Sequence, residues 1–225
     1  MNRMPELRSG DDSGFTLVEL AVSMIIMAVV ASTLSTTMIG SRETAETVRQ
    51  VNNLNEEARL AVNRIARELR QASEVTAVGS PDPTKGVTFG VDFNGNGTID
   101  STAADPERLT YTYDASSRRI LLSAADTTGT TVTQPILSGE VSEFALSFRS
   151  SRYQYDCNAD GVTTWEELDA GCPGASPPVA ALGNANGVLD AGELPYIDSV
   201  VLDFSVLDGA RKQDYRTQID MRNAQ

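Results

Sequence analysis

The sequence predicts an α+β protein in which one long N-terminal helix packs on an antiparallel β-sheet. Three observations lead to this prediction. Residues 15–40 form an almost uncharged apolar run, and an amphipathic helical pattern then continues to about residue 73. After residue 80 the pattern changes to an alternation of apolar and polar side chains, interrupted by turns rich in Asp, Ser and Gly.

The composition excludes several classes of function. The 225 residues include 18 Lys and Arg against 31 Asp and Glu, which gives a net charge of −13. A general nucleic-acid binder needs a basic surface, so we expect no general nucleic-acid binding. The chain has no histidine, which excludes His-based catalytic triads and His-ligated zinc or haem.

Residues 15–40 are the first half of the predicted helix and are long enough to cross a membrane. At about 1.5 Å per residue, such a helix spans a hydrocarbon core of roughly 30 Å. Its one ionisable side chain is Glu19. A charge inside lipid marks a candidate functional site, whereas a charge at a helix start can lie at the interface and complement the helix dipole. Position alone leaves both interpretations of Glu19 open.

Residues 41–75 are the amphipathic half of the helix. No proline occurs between Pro5 and Pro81, so the sequence allows one unbroken helix over residues 15–73. We interpret its apolar stripe, in which Asn55 is the one polar member, as the face that packs on a domain. The stripe recurs at spacings of three and four and consists of Val48, Val51, Asn55, Ala58, Val62, Ile65, Leu69 and Ala72.

Residues 76–225 are predicted to form the sheet domain, with loops inserted at residues 92–105 and 153–195. A sheet with one buried face needs an apolar partner, and the helical stripe is the long apolar surface available to it. The segments with strand-like alternation are residues 86–92, 108–113, 119–123, 141–148, 199–207 and 215–221.

The second inserted loop contains a calcium-binding motif at residues 156–167. This segment fits the twelve-residue calcium loop at every ligand position, with Gly161 at the turn. The alternative is a surface turn rich in Asp, Asn and Gly. The predicted ligands are the side chains of Asp156, Asn158, Asp160, Thr164 and Glu167 and the backbone carbonyl of Val162.

Two further segments match the same template in part, so the sequence predicts one calcium ion and allows up to three. Residues 92–100 have Ala103 where the closing glutamate belongs, and residues 184–193 have Leu182 at position 1. We expect weaker binding or none at each, unless a carboxylate from elsewhere, such as Asp105 for the first, completes the site. The candidate ligands are Asp92, Asn94, Asn96, Thr98 and Asp100, and Asn184, Asn186, Val188, Asp190 and Glu193.

The junction before the apolar run carries the most specific motif. The run GFTLVEL at residues 14–20 resembles the processing motif of type IV pilins and type II secretion pseudopilins. The resemblance implies that a prepilin peptidase removes residues 1–14 by cutting between Gly14 and Phe15, and that Phe15 becomes N-methylated. It also implies that Glu19 is the glutamate that this family keeps in the membrane helix and uses in filament assembly.

The same resemblance implies a pilin-like fold and a structural function. The loop insertions, the larger sheet domain and the unbroken helix are most similar to minor pilins and minor pseudopilins. Such a subunit is anchored in the inner membrane by a single span, has its C-terminal domain in the periplasm or outside, and assembles with other subunits through the helix. No acidic pair lies in a recognisable catalytic motif, so we expect no enzyme. A membrane-tethered calcium-dependent hydrolase or binding protein is the alternative.

The two cysteines, Cys157 and Cys172, bracket the strongest calcium motif. Two thiols without a histidine make a poor zinc site. In a domain carried into an oxidising compartment, a disulfide is expected, and it would preorganise the calcium oxygens. The alternative is a pair of free buried thiols.

Overall fold

The computed structural model describes residues 14–100, 107–125, 128–208 and 211–222. The chain forms two compact units, Met1–Gln50 and Val51–Gln225. Helix α1 (Leu17–Gln71) is 55 residues long and contributes to both units. The predicted unbroken helix is therefore confirmed, whereas the predicted leader lies outside the described residues except for Gly14.

The apolar run makes up most of the described part of the first unit. Within the described residues, α1 is the helix long and apolar enough to cross a membrane, with a mean hydropathy of 2.3 over its most apolar window and no residue of that window buried. Its hydroxyl side chains donate to carbonyls one turn back, as in Ser23 to Glu19 at 2.7 Å and Ser35 to Ala31 at 2.8 Å. These Ser and Thr side chains are therefore satisfied within the helix, which lowers the cost of placing them in lipid.

The second unit contains two antiparallel sheets. In the described part of the chain, the first sheet has the order β1 (Glu74–Val78), β2 (Gly86–Gly90), β3 (Arg108–Asp114), β4 (Arg119–Ala125) and β5 (Thr131–Pro135). The second sheet contains β6 (Glu140–Ser150), β7 (Thr163–Thr164), β8 (Ser199–Asp208) and β9 (Arg211–Asp220), in the order β7-β6-β8-β9. A short helix, α2 (Trp165–Ala170), follows β7.

The predicted α+β class and all of the predicted strand segments are confirmed, although the strands form two sheets rather than one. The sequence did not indicate β1, β5, β7 or α2. Strand β5 is exposed along its whole length, so its residues show no alternation, and β7 has only two residues.

The helical stripe packs on both sheets within the second unit. Its buried residues begin at Ala58 and end at Ala72, and Val62 is partly buried, whereas Val48, the predicted first member, is half exposed. Asn55, the polar member of the stripe, accepts a hydrogen bond from the Tyr215 hydroxyl at 2.8 Å, which accounts for an amide on this face. The sheets supply the large core side chains: Phe89, Tyr111, Ile120, Phe144, Phe148 and Phe204.

A buried polar contact also joins α1 to the first sheet. The Tyr111 hydroxyl donates to the Glu68 carboxylate, which pairs with Arg64 at 3.0 Å. Burial, followed by this hydrogen bond, raises the pKa of Tyr111. The tyrosine is therefore a permanent donor, and the contact fixes the rotation of α1 about its own axis against β3.

Candidate functional site

Helix α1 begins with a capping box formed by Thr16 and Glu19. The Glu19 amide donates to Thr16 Oγ1 at 3.2 Å, and the Thr16 amide and hydroxyl donate to Glu19 Oε2 at 3.4 and 3.2 Å. Helix starts leave backbone amides without partners, and this reciprocal pair satisfies two of them. Within a single chain, Glu19 therefore acts as a capping residue at the start of the apolar run.

The loop at residues 156–167 turns its side-chain oxygens inward onto its own backbone. Asp156 accepts from the Asp160 amide at 2.9 Å and from the Gly161 amide at 2.8 Å. Asn158 accepts from the Asp160 amide at 2.9 Å, and Asp160 accepts from the Val162 amide at 2.8 Å. Gly161 has a φ of 82°, which glycine adopts without strain. The oxygens at positions 1, 3 and 5 therefore share one concave turn.

Glu167 closes this loop from helix α2. Its Oε1 accepts from the Cys157 amide and its Oε2 from the Thr164 amide, both at 2.9 Å. Thr164 in turn caps α2 in a second capping box with Glu167. The carboxylate at position 12 thus joins positions 2 and 9, which brings the two ends of the loop together.

The predicted disulfide between Cys157 and Cys172 is present. The two Cα atoms are 5.3 Å apart. The Cys172 amide donates to the Val179 carbonyl at 2.9 Å, and the Val179 amide returns a bond of 3.1 Å. The disulfide therefore links position 2 of the calcium motif to the hairpin-like segment that follows α2.

The loop at residues 92–100 repeats the same backbone pattern. The Gly97 amide donates to Asp92 Oδ2 at 2.9 Å, as the Gly161 amide does to Asp156. The Asn96 amide donates to Asn94 at 2.8 Å, and the Thr98 amide donates to Asn96 at 2.7 Å. The first six positions of this loop are thus organised like those of the complete motif.

Glu107 closes the loop at residues 92–100. The calcium-loop template did not identify this residue from the sequence. Glu107 Oε1 accepts from the Phe93 amide at 2.8 Å and its Oε2 from the Asp100 amide at 2.9 Å. These are the amides of positions 2 and 9, the same two that Glu167 joins. Glu107 is fully buried. The template positions named from sequence, Ala103 and Asp105, lie outside the described residues.

The loop at residues 184–193 has the same turn and its own closing glutamate. The Asn186 amide donates to Asn184 at 3.1 Å, and the Val188 amide donates to Asn186 at 2.7 Å. Glu193, which is fully buried, accepts from the Asp190 amide at 2.9 Å and from the Asn184 amide at 3.3 Å.

Asp190 lies at position 9 of this loop and is held by several donors. The Gly192 amide first, and then the side-chain amides of Asn186 and Asn184, lower the pKa of its carboxyl group. Among the described residues, no three Asp, Glu, Cys or His side chains lie together in an arrangement that could hold a metal ion.

Comparison with known proteins finds one family model that matches the N-terminal segment. The family model of the prokaryotic N-terminal methylation motif matches residues 11–35, a segment that includes Gly14, Phe15 and Glu19. No curated protein and no solved structure gives a match. The matched motif continues into the long apolar helix. Together they fit a type IV pilin-like protein.

The pilin-like motif supports a general role for the chain. It supports a membrane-anchored subunit that assembles with other pilin subunits after processing by a prepilin peptidase. A subunit of this kind is structural. The capping box of Thr16 and Glu19 lies within the segment that the methylation-motif model matches.

Glu107 is a loop-closing glutamate that the sequence would have revealed if the template had allowed a variable spacing before position 12. It is the first glutamate after Asp100 and lies four residues beyond the template position at Ala103. A closing carboxylate needs to reach the amides of positions 2 and 9 in space, and closing a loop that is a few residues longer costs little additional entropy. The template tests only position 103 for the closing glutamate, and it therefore did not identify Glu107.

Proposed function

We propose that the chain is a minor pilin or minor pseudopilin, a membrane-anchored subunit of a type IV pilus or type II secretion pseudopilus. The observation that carries the proposal is the methylation motif at residues 11–35, within which an unbroken 55-residue helix begins at Leu17. Before assembly the subunit would be anchored in the inner membrane, with residues 76–225 in the periplasm or outside. It would then be incorporated into the filament.

The exposure of the apolar run supports this assembly. Phe15 and Leu17 are more than four-fifths exposed, and the large apolar side chains through Ile39 are at least 46% exposed. An apolar surface of this length needs a covering. Lipid covers it before assembly, and the helices of neighbouring subunits replace lipid in the filament, where small and hydroxyl side chains permit close packing.

Glu19 supports a specific assembly contact. Cleavage after Gly14 would create a free amine on Phe15, and a carboxylate in an apolar medium gains strongly from a positive partner. The amine of one subunit and Glu19 of the next would form this pair and set the axial register of the filament. The capping contacts with Thr16 would position the carboxylate before the pair forms.

We also propose that the loops at residues 92–100 and 156–167 bind calcium and stabilise the outer domain. Each places oxygen ligands at positions 1, 3 and 5 around a turn, and each is closed by a glutamate, Glu107 in one and Glu167 in the other. A chain with a net charge of −13 gains further from divalent cations through reduced self-repulsion.

The filament proposal is tested by mechanical shearing of cells that produce the full chain. The sheared filaments are collected and probed for the protein, with an integral inner-membrane protein as the control for broken cells. We expect the chain in the filament fraction. Complete retention in the membrane fraction would contradict the proposal and would favour a tethered binding protein or hydrolase.

The calcium proposal is tested on the full chain in detergent. We expect calcium to raise the melting temperature and a chelator to reverse the change. The double variant E107Q/E167Q should lose most of this response because both closing carboxylates are neutralised. An unchanged melting temperature for the wild type with and without chelator would contradict the calcium role.

A further inference from the structure

We propose that Asp169 completes the loop at residues 184–193 as a calcium site. Helix α2 would then carry one ligand of each of two sites. This inference rests on the calcium role proposed above and is independent of filament assembly. It assigns a ligand that lies outside the loop itself, 15 residues before Asn184 in the sequence.

Asp169 occupies the place that an aspartate at position 1 holds in the other two loops. The Gly187 amide, at position 6, donates to Asp169 Oδ2 at 2.7 Å. The equivalent bonds are Gly161 to Asp156 at 2.8 Å and Gly97 to Asp92 at 2.9 Å. The sequence template instead puts Leu182 at position 1, and Leu182 has no side-chain oxygen.

The chain after α2 brings Asp169 to the loop. The amides of Leu182 and Gly183 both donate to the Leu168 carbonyl, at 3.0 and 3.1 Å. Leu168 directly precedes Asp169, so the start of the loop is anchored beside it. The disulfide at Cys172 and the backbone bridge to Val179 hold the intervening segment in the turn that this return requires.

The second oxygen of Asp169 is available to coordinate a cation. The residue is only 2% exposed, and its Oδ1 is buried without a hydrogen-bond partner. No lysine or arginine in the described ranges forms an ion pair with it. A buried carboxylate oxygen without a partner carries a large desolvation penalty, and a bound divalent cation would offset it.

Gly183 shows where the unpartnered oxygen is directed. A Cβ atom added to this glycine would lie 2.9 Å from Asp169 Oδ1 and would also collide with Glu193 Oε1. The two carboxylates therefore flank the same glycine, on the side of the loop closed by Glu193. Calcium takes about six to eight oxygens. The proposed ligands are the side chains of Asp169, Asn184, Asn186, Asp190 and Glu193 and the carbonyl of Val188.

Helix α2 connects this site to the neighbouring one. Glu167 closes the loop at residues 156–167, and Asp169 follows it by two residues on the same short helix. Calcium bound through Glu167 would fix the helix and thereby position Asp169. We therefore expect positive coupling between the two sites, because the first ion bears part of the ordering cost of the second.

The experiment is a calcium titration of the full chain in detergent, with bound ions counted by native mass spectrometry. We expect three ions on the wild type. D169N should lose one ion, through an affinity at least about tenfold weaker at that site. Asn186→Ala, an exposed ligand position, should lose the same ion. E166Q removes a charge from an exposed position of the same helix and should keep all three.

The outcomes separate this inference from the calcium role of the other loops. If D169N, folded by circular dichroism, binds as many ions as the wild type, the inference is wrong. If D169N does not fold, full ion retention in N186A contradicts the site. A wild type that binds only two ions, one lost in D156N and the other in E107Q, contradicts the third site but keeps the other two. A wild type that binds none contradicts both proposals.

Discussion

Glu107 Oε2 accepts a hydrogen bond from the Asp100 amide at 2.9 Å. The same bond joins Glu167 to the Thr164 amide and Glu193 to the Asp190 amide, each at 2.9 Å. In all three loops a glutamate therefore holds the amide of position 9, although Glu107 lies beyond the template spacing. The contact defines which glutamate closes each loop, and it supplies a test for the first one.

Neutralising Glu107 should weaken calcium binding at residues 92–100. In E107Q we expect an affinity at least about tenfold lower at this loop, because one carboxylate of a small set is lost. Native mass spectrometry of the full chain at limiting calcium measures the loss. D105N is the control, since Asp105 is the acid that sequence alone suggested. A loss of the ion in D105N with full retention in E107Q would reverse the assignment.

Removing the disulfide should lower both stability and calcium affinity. In the double variant C157S/C172S we expect the free energy of unfolding to fall by about 3 kcal/mol, as expected for a loop of about 15 residues. The loop at residues 156–167 should also bind calcium more weakly, because the Cys157 amide contacts Glu167. Chemical denaturation in detergent measures the first effect, and calcium titration measures the second. Equal unfolding midpoints for variant and wild type would refute the stabilising role.

Two substitutions at Glu19 separate its capping role from its charge. Gln keeps an acceptor for the capping box, whereas Ala removes it. If the charge pairs with a neighbouring Phe15 amine, both E19Q and E19A should enter filaments at least about tenfold less than the wild type. Quantitative detection in sheared filaments measures this, with membrane insertion unchanged. E43Q, on the same helix after the apolar run, is the control. If E19Q enters filaments as well as the wild type, the charge of Glu19 is not needed for assembly, and the capping role alone remains.

The turn after β3 should show a pH dependence that comes from Asp114. The hydroxyls of Ser117 and Ser116 and the Ser116 amide donate to its carboxylate and lower its pKa to about 2. A lowered pKa stabilises the fold above the unfolded value of about 4, and the contribution is lost as the pH falls towards 2. D114N should therefore melt below the wild type at neutral pH, and the gap should close over that range. In S117A, an NMR titration should find a higher Asp114 pKa; an unchanged value would contradict this account.

Sequence periodicity was sufficient for the long helix and the main strands. The stripe from Ala58 to Ala72 and the alternation in β6 are local patterns, and the observed burial follows both. Strand β8 differs from the prediction, because Val201 and Ser205 on its second face are buried as well. Strand β5 left no such pattern because it has no buried face. The separation into two sheets is also absent from the sequence pattern, since it depends on which strands pair.

The loops show the same division between local and tertiary information. The motif at residues 156–167 carries all its ligands within twelve positions, so a template recognises it. The other two loops are completed by Glu107 and Asp169, which reach their places through the start of β3 and through α2. Such residues have no fixed spacing to the loop that they complete, and only the folded chain brings them together.

The most direct test of the pilin-like account is the N-terminus of the mature protein. The chain is purified from membranes and sheared filaments of cells with an active prepilin peptidase, and its intact mass and N-terminal peptide are measured. The account predicts that the mature chain begins at Phe15 and carries a methyl group on the Phe15 amine. A chain that still begins at Met1, or one that begins at another residue, would contradict it.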